Sequence, residues 1–428
     1  MDEEVVALYD DGGRPDGSAP RSQMRAQNLR HAATGILVRD SYGRVYVHRR
    51  TPIKDVYPAY WDFTAGGVVL DGEDPLEGAR RELAEELGVT SELVTLGEAD
   101  YADQSTRYHA FRYLTTWDGE ITPQPEEVAY GAWLSLERLL DGLSDAEVPF
   151  MPDTRALFGD WVRERAADHG EPYQGRRSLT TLVEGRWLDR VPRFRGVGTG
   201  LVAEASLLPL LAPLVPLEVP DTILLDEEPL RVRHHWLPGA TAATADLTTE
   251  DGRRLGGFLR ALHDVPVSAY AGTGIPDETA TRARLLRDLE RMFHVVLPLL
   301  PETHQTRAQD LLRRVAVRAP AGLVHGELAP RHLVIGPGGL AGVVDWARAG
   351  VGDPAIDLAW PLYGAPEPVA EAVATSYGVS DEELLRALDW YRLDPWYDVR
   401  WEPRTGDQPT GATRLHDLVD RLDVNAAP

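Results

Sequence analysis

The sequence predicts an α+β chain of two or three domains, the first a sandwich of helices packed on a mixed sheet. At 428 residues it is too long for one ordinary domain, and 43% hydrophobic residues suffice for real cores. Strand-like runs at 33–38, 44–48, 93–96, 108–115 and 129–134 surround a Glu-rich helix and precede a second helix at 153–166. That mixture is how helices come to pack on a sheet. The polar, Pro- and Gly-bearing stretch 168–174 (D-H-G-E-P-Y-Q) then interrupts the pattern as a linker would. It divides 1–168 from 178–428, with 169–177 between them.

The first 30 residues are rich in Gly, Asp, Pro and Arg and read as partly flexible. Beyond the linker, residues 179–183 turn through Glu184 and Gly185 into 187–191 as a hairpin. A helix is expected at 201–211, then strands at 222–225 and 230–235, then helices at 249–262, 278–300 and 304–317. No internal repeat or low-complexity tract stands out.

Residues 67–89 read G-V-V-L-D-G-E-D-P-L-E-G-A-R-R-E-L-A-E-E-L-G-V. Pro75 suits a first helical position, Asp74 stands ahead of it as cap, and Gly88 follows the end. Between them, Glu82, Glu85 and Glu86 recur at offsets of three and four, which share a helix face. Like charges so close repel unless a cation sits there. All-oxygen ligands suit a hard ion, Mg²⁺ or Mn²⁺. Taken alone, such a cluster is more often a solvated acidic face paired with Arg81. The flanking residues change that reading. Gly67, Glu73, Arg81, Glu82, Leu83, Glu85, Glu86, Gly88 and Val89 fall on every defined position of the Nudix box, which the segment resembles. The resemblance implies a Nudix α/β/α sandwich and Mg²⁺-dependent hydrolysis of a small-molecule diphosphate. In it Glu82, Glu85 and Glu86 hold the metal, Glu85 and Glu86 are catalytic, and Gly67, Glu73 and Arg81 are structural.

Composition narrows the setting. The formal net charge of −24 disfavours nucleic acid and anionic membranes, and no basic patch offsets it. No run of eighteen apolar residues predicts a membrane span, and the start M-D-E-E lacks a secretory n-region. Cysteine is absent, which removes disulfides and thiolate chemistry and fits a cytoplasmic protein. Lys54 is the only lysine against 43 arginines. Codon bias explains that, yet a lysine beside Arg49 and Arg50 is also placed to clamp a diphosphate.

Further along, residues 323–334 read L-V-H-G-E-L-A-P-R-H-L-V, 342–347 read G-V-V-D-W-A, and 352–359 read G-D-P-A-I-D-L-A. The segment resembles the catalytic loop and metal-binding strand of aminoglycoside and macrolide phosphotransferases, over roughly 179–377. That implies a bilobal, protein-kinase-like domain using ATP or GTP on a hydroxylated small molecule. By position, Glu327 stands for the catalytic Asp, His332 for a metal-ligating Asn, Asp345 for the metal-binding Asp, and Asp357 for a bracing carboxylate. Two of these four depart from the pattern. One extra methylene at Glu327 moves the carboxylate by about 1 Å, enough to cost roughly a hundredfold in rate. Arg190 stands at the phosphate-pairing lysine position, with Glu204 as its helix partner. The run Gly196-Val-Gly-Thr-Gly200 lacks the following Lys-Ser/Thr of a phosphate loop and reads as a plain loop. The alternatives are that this half is a non-catalytic nucleotide- or metabolite-binding module, or that the whole chain is a ligand sensor.

Around the first motif, residues 45–67 resemble the branch that contains isopentenyl-diphosphate isomerases, and His31 resembles a metal-binding histidine there. Those enzymes use a cysteine near Ala65 or Gly66, which this chain lacks, so hydrolysis is favoured over isomerisation. Glu126 and Glu127 are candidates for a fourth metal ligand or a base, though surface acids are commoner. Tyr57, Tyr60, Trp61 and Phe63 read as packing.

Overall fold

The computed structural model describes residues 3–54, 56–170, 172–174, 178–242, 247–399 and 412–424. They fall into two compact units, Met1–Pro172 with Thr181–Trp187, and Tyr173–Thr180 with Leu188–Pro428.

The first unit runs β1 (Val5–Tyr9), β2 (Pro15–Pro20), α1 (Arg21–Gln27), β3 (His31–Arg39), β4 (Val45–Arg50), β5 (Trp61–Asp62), α2 (Pro75–Leu87), β6 (Val94–Ala102), β7 (Arg107–Thr116), β8 (Val128–Leu134), α3 (Leu136–Ser144) and α4 (Pro152–Ala166). Its strands form one mixed sheet. β3 lies at the centre, parallel to β7, with His31 opposite Tyr108 and Arg39 opposite Thr116. Its residues are buried almost without interruption, as in a strand covered on both faces. Ile36 and Val38 pack with Leu83 and Leu87 of α2. Leu37, on the opposite face, packs with Phe158 and Val162 of α4. The result is an α/β/α sandwich. The segment ahead of α2 runs along β3, with Thr34 N–H bonded to the Gly67 carbonyl at 2.8 Å.

Residues 3–30, read as partly flexible, contain β1, β2 and α1. Val6 and Met24 are buried against Val68. A short apolar run, V-V-A-L-Y, supplies that anchor inside a polar composition. The prolines belong to β2, an edge strand where a missing N–H costs little.

Arg39 and Glu184 form a buried ion pair in this unit, their side chains only 9% and 10% exposed. The Arg39 guanidinium also lies 5.2 Å from the Trp187 ring centroid. Removing one partner strands a buried charge, so Glu184→Ala is expected to cost about 3–5 kcal/mol, read by urea unfolding. An unchanged midpoint would mean that water reaches Arg39.

The second unit opens with a five-stranded sheet, order β12-β13-β11-β10-β9. Its strands are β9 (Tyr173–Gln174), β10 (Ser178–Val183), β11 (Trp187–Pro192), β12 (Thr222–Glu227) and β13 (Leu230–His235), with α5 (Arg195–Leu211) between β11 and β12. Part of the stretch read as linker is therefore a strand: Tyr173 and Gln174 pair with Thr180 and Leu179. Residues 171 and 175–177 of that stretch lie outside the described residues.

A helical lobe follows: β14 (Ala240–Thr241), α6 (Thr249–His263), α7 (Val267–Tyr270), α8 (Glu278–Arg291), α9 (Glu302–Ala316), β15 (Gly322–Val324), β16 (Leu333–Gly336), β17 (Gly339–Val343), β18 (Gly350–Gly352), α10 (Ala355–Tyr363), α11 (Glu367–Tyr377), α12 (Asp381–Leu393) and α13 (Ala412–Asp423).

Gly196–Gly200, expected as a loop, forms the first turns of α5. A Cβ on Gly198 would meet Leu230 at 2.9 Å, so close packing against β13 outweighs the weak helix propensity of glycine. The stretch Gly196–Leu214 is long and apolar enough to cross a membrane by composition, which the sequence reading did not register. Its apolarity has a packing origin. Val197, Leu201 and Ala205 pack with Val232 of the small sheet, while Leu207, Leu208 and Leu211 join the helical core. It also carries Glu204, buried beside Arg190.

Candidate active sites

The first site is built on α2. Asp74 caps it, its Oδ1 accepting from Leu76 N–H at 2.9 Å, and Gly88 ends it in the left-handed region at φ 69°. Arg81 organises the face. Its Nε donates to Glu73 Oε1 at 2.9 Å, and its Nη1 donates to Glu82 Oε1 at 2.8 Å and Glu85 Oε2 at 3.2 Å. Glu73 is fixed in turn by Leu70 N–H, which donates to Oε2 at 2.9 Å. A Cβ on Gly67 would lie 2.4 Å from the Glu82 carboxyl carbon, so glycine there makes room for that carboxylate. Gly66 sits at φ 152°, where a Cβ would strike the Thr34 carbonyl oxygen at 2.1 Å.

The three glutamates stand differently. Glu85 points outward, 58% exposed. Burial raises the pKa of Glu82 against the pull of Arg81. Glu86 is buried, and its Oε2 accepts from Gly66 N–H at 3.0 Å. Burial pushes its carboxyl up to about 7. His48 Nε2 stands 3.4 Å from Glu86 Oε1, and burial holds that imidazole near 4, hence neutral at pH 7. Among the described residues no three His, Asp or Glu side chains already converge on one point. Arg81 meanwhile bridges Glu82 and Glu85. The donor set still suits a hard divalent ion: oxygen ligands alone, two of them held against burial, with Gly67 leaving space beside Glu82.

Beside Glu86 opens a cavity of about 130 Å³, lined by Gly66, Gly67, Arg50, Lys54, His31 and Asp62 among others. Strand alternation separates the two arginines of β4: Arg50 lines the cavity, while Arg49 is exposed and donates to the Ala59 carbonyl at 3.1 Å. Lys54 pairs with Glu127, and Glu126 is exposed.

The second site lies within the second unit. Asp357 is fully buried and accepts from His325 N–H at 2.7 Å and Gly326 N–H at 2.8 Å, bracing the loop. Arg190 Nη1 donates to Glu204 Oε2 at 3.1 Å, and its Nη2 donates to Asp345 Oδ1 at 3.3 Å. Burial pushes Glu204 up to about 7 despite Arg190. Burial opposes ionisation of Asp345 too, yet Arg190 and the neighbouring histidines hold its pKa below the usual carboxylate value. His332 faces the Glu327 carbonyl with Nδ1 at 2.7 Å, so Nδ1–H donates. Its Nε2 lone pair then faces Asp345 Oδ2 at 3.5 Å. Burial keeps this ring neutral, its pKa near 4. Two ligand atoms so close fit one divalent ion. Glu327 is exposed, between Arg331 at 3.0 Å and Arg348 at 2.9 Å.

Residues 169–396 match the model of the phosphotransferase enzyme family APH, and residues 29–154 match that of the NUDIX domain. The chain belongs to both families. It is a Nudix hydrolase joined to an APH phosphotransferase domain. Over 170 residues it is 42% identical to an uncharacterized Nudix hydrolase, orf19, of Rhodococcus erythropolis, covering 37% of this chain and 92% of that protein. Over 164 residues it is 35% identical to the uncharacterized Nudix hydrolase YfcD of Escherichia coli K12, covering 38% and 89%. The GDP and kanamycin complex of APH(2")-IIia superposes with a TM-score of 0.50 at 21% identity, over 60% of this chain and 92% of that one, a likeness of fold.

Around the Nudix cleft the structure gathers residues that the sequence reading passed over. His48, Asp62, Tyr108 and Asp153 all lie in or against the cavity. Asp62 carried a usable signal, an Asp two residues before Thr64, the pattern of a side chain capping its own turn. Tyr108 carried none, because its place beside His31 follows from the parallel β3–β7 register. Tyr57 and Tyr60 pack on each other with ring centroids 5.3 Å apart.

Gly67→Ala tests the close approach to Glu82. The added methyl must displace the carboxylate or the strand, so a cost of about 1–3 kcal/mol is expected. Divalent-ion affinity should fall with it, measured by calorimetry. Unchanged affinity would remove Glu82 from the metal set.

Proposed function

We propose that the Nudix unit hydrolyses an X-linked diphosphate with Mg²⁺ or Mn²⁺ held by Glu82, Glu85 and Glu86. The carrying observation is Glu86: buried, raised to about 7, and accepting from Gly66 N–H on the wall of a cavity that Arg50 and Lys54 also line. A carboxylate near neutrality can accept a proton from an attacking water. Arg50 and Lys54 supply positive charge for phosphate oxygens, and Glu85 at the helix surface completes the oxygen ligands. When bound, a divalent ion offsets phosphate charge and lowers the pKa of water. Resemblance to the isopentenyl-diphosphate isomerase branch bears on shape rather than reaction, since Ala65 and Gly66 offer no thiol. The test is phosphate release from a library of diphosphates with and without Mg²⁺. Release that persists in chelator would defeat the reading.

For the second unit we infer binding of a Mg²⁺–purine nucleotide by His332, Asp345 and Arg190, with slow transfer to a hydroxylated small molecule. A neighbour of the same fold is a GDP complex, which is compatible. The second reading, binding without transfer, is favoured by Glu327, whose carboxylate is engaged by two arginines. Nucleotide calorimetry followed by a transfer assay separates the two.

A further inference from the structure

We propose that the Nudix cavity selects diphosphates whose organic half carries a hydrogen-bond donor, an amine or hydroxyl, and that Asp62 receives it. This rests on the diphosphate reading of the same cleft and names the class of X.

Asp62 is 6% exposed and lines the cavity. Its two oxygens are unequally used. Oδ1 accepts from Phe63 N–H at 2.7 Å, Thr64 N–H at 3.1 Å, Thr64 Oγ1 at 3.1 Å and Thr154 Oγ1 at 2.8 Å. Four donors fix the side chain and saturate that oxygen. Oδ2 accepts no hydrogen bond from the described residues. That oxygen is not sealed from water, so it is open to a donor on a molecule in the cavity.

Its neighbours extend the same chemistry. Thr154 N–H donates to Asp153 Oδ1 at 2.8 Å, and Tyr108 OH donates to Asp153 Oδ2 at 2.8 Å. His31 donates Nδ1–H to the Leu29 carbonyl at 3.0 Å, which leaves Nε2 as an acceptor. Burial holds that ring near 4, so it stays neutral. Around Asp62 the wall therefore offers acceptors, although Arg21 and Arg25 also line the cavity on the His31 side, and phosphate oxygens, being acceptors of like charge, are disfavoured beside Asp62. Phosphates belong with the cavity's cations, Arg21, Arg25, Arg50 and Lys54, and with the glutamates of α2. The organic half meets Asp62, and an all-hydrocarbon chain would leave Oδ2 unpaired.

The probes are pentyl diphosphate and 5-aminopentyl diphosphate, matched in length. Their dissociation constants are measured calorimetrically on the full chain with Mg²⁺. The aminopentyl probe is expected to bind at least about tenfold tighter, the scale of one charge-assisted bond. Asp62→Asn keeps an oxygen for Phe63 and Thr64 and should bring the ratio to about one, with pentyl affinity unchanged. Equal affinities in the unsubstituted protein would overturn the proposal. So would equal weakening of both probes by Asp62→Asn, which would make Asp62 a structural or metal group. Should the variant not fold, the ratio in the unsubstituted protein decides alone. Phosphate release is followed separately. A preserved affinity ratio without turnover counts against the hydrolase reading, and turnover with equal affinities counts against this one.

Discussion

Glu86→Gln is expected to cut divalent-ion-dependent hydrolysis by about 10²–10⁴-fold, the range for loss of a positioned acid or base. The side chain keeps its shape, and its amide oxygen can still accept from Gly66 N–H, which now meets Oε2 at 3.0 Å. Folding should therefore survive. Stability should even improve at high pH. The native carboxyl holds its proton up to about 7, against an ordinary 4.5. Between those values the native state binds more protons than the unfolded chain, so stability is fullest below the window and falls as pH rises through it. Glutamine removes that fall. Urea unfolding in chelator at about pH 5 and about pH 8 reads the difference. Hydrolysis that survives the substitution would take Glu86 out of the chemistry, whatever the stability does.

Asp345→Asn is expected to weaken Mg²⁺-dependent purine nucleotide binding by about 10- to 100-fold, the scale of a lost charge-assisted contact. Asp345 stands between Arg190 at 3.3 Å and His332 at 3.5 Å, so it joins the cation on β11 to an imidazole that can ligate a metal. Calorimetry with and without Mg²⁺ is the measurement, and binding unchanged by either would leave the domain a scaffold. The companion substitution is Glu327→Asp. If the extra methylene misplaces the base, shortening it should raise transfer by up to about a hundredfold. A fall from already brisk transfer would show that Arg331 and Arg348 hold Glu327 where it works.

How much was legible depended on how local each feature was. The α2 helix could be read residue by residue, because cap, face and terminator are set by neighbours a few positions apart: Asp74, Pro75, the three glutamates and Gly88. The hairpin through Glu184 and Gly185 and the strand Leu230–His235 were legible for the same reason. The strands and helix of residues 3–30 were not legible because composition outweighed five apolar-leaning residues whose value appears only when Val6 meets Met24 and Val68. Gly196–Gly200 was misread because glycine is a poor helix former in isolation, while Gly198 is there to let Leu230 approach.

By itself the sequence determined the two families, the glutamates of α2, and the departures Glu327 and His332 in the second unit. Those follow from residue types at fixed spacing. Only the tertiary structure decided which charges face a cavity. β4 turns Arg50 inward and Arg49 outward, and Lys54 meets Glu127 across 73 positions of sequence. Glu86, His48 and Asp62 come from α2, β4 and β5, and they share one buried wall only because the β4–β5 pairing and the approach of Gly66 to Thr34 bring them there. The packing that buries Glu86 and raises its carboxyl, and that aims four donors at one oxygen of Asp62, is a property of that assembly and has no counterpart in the linear order of residues.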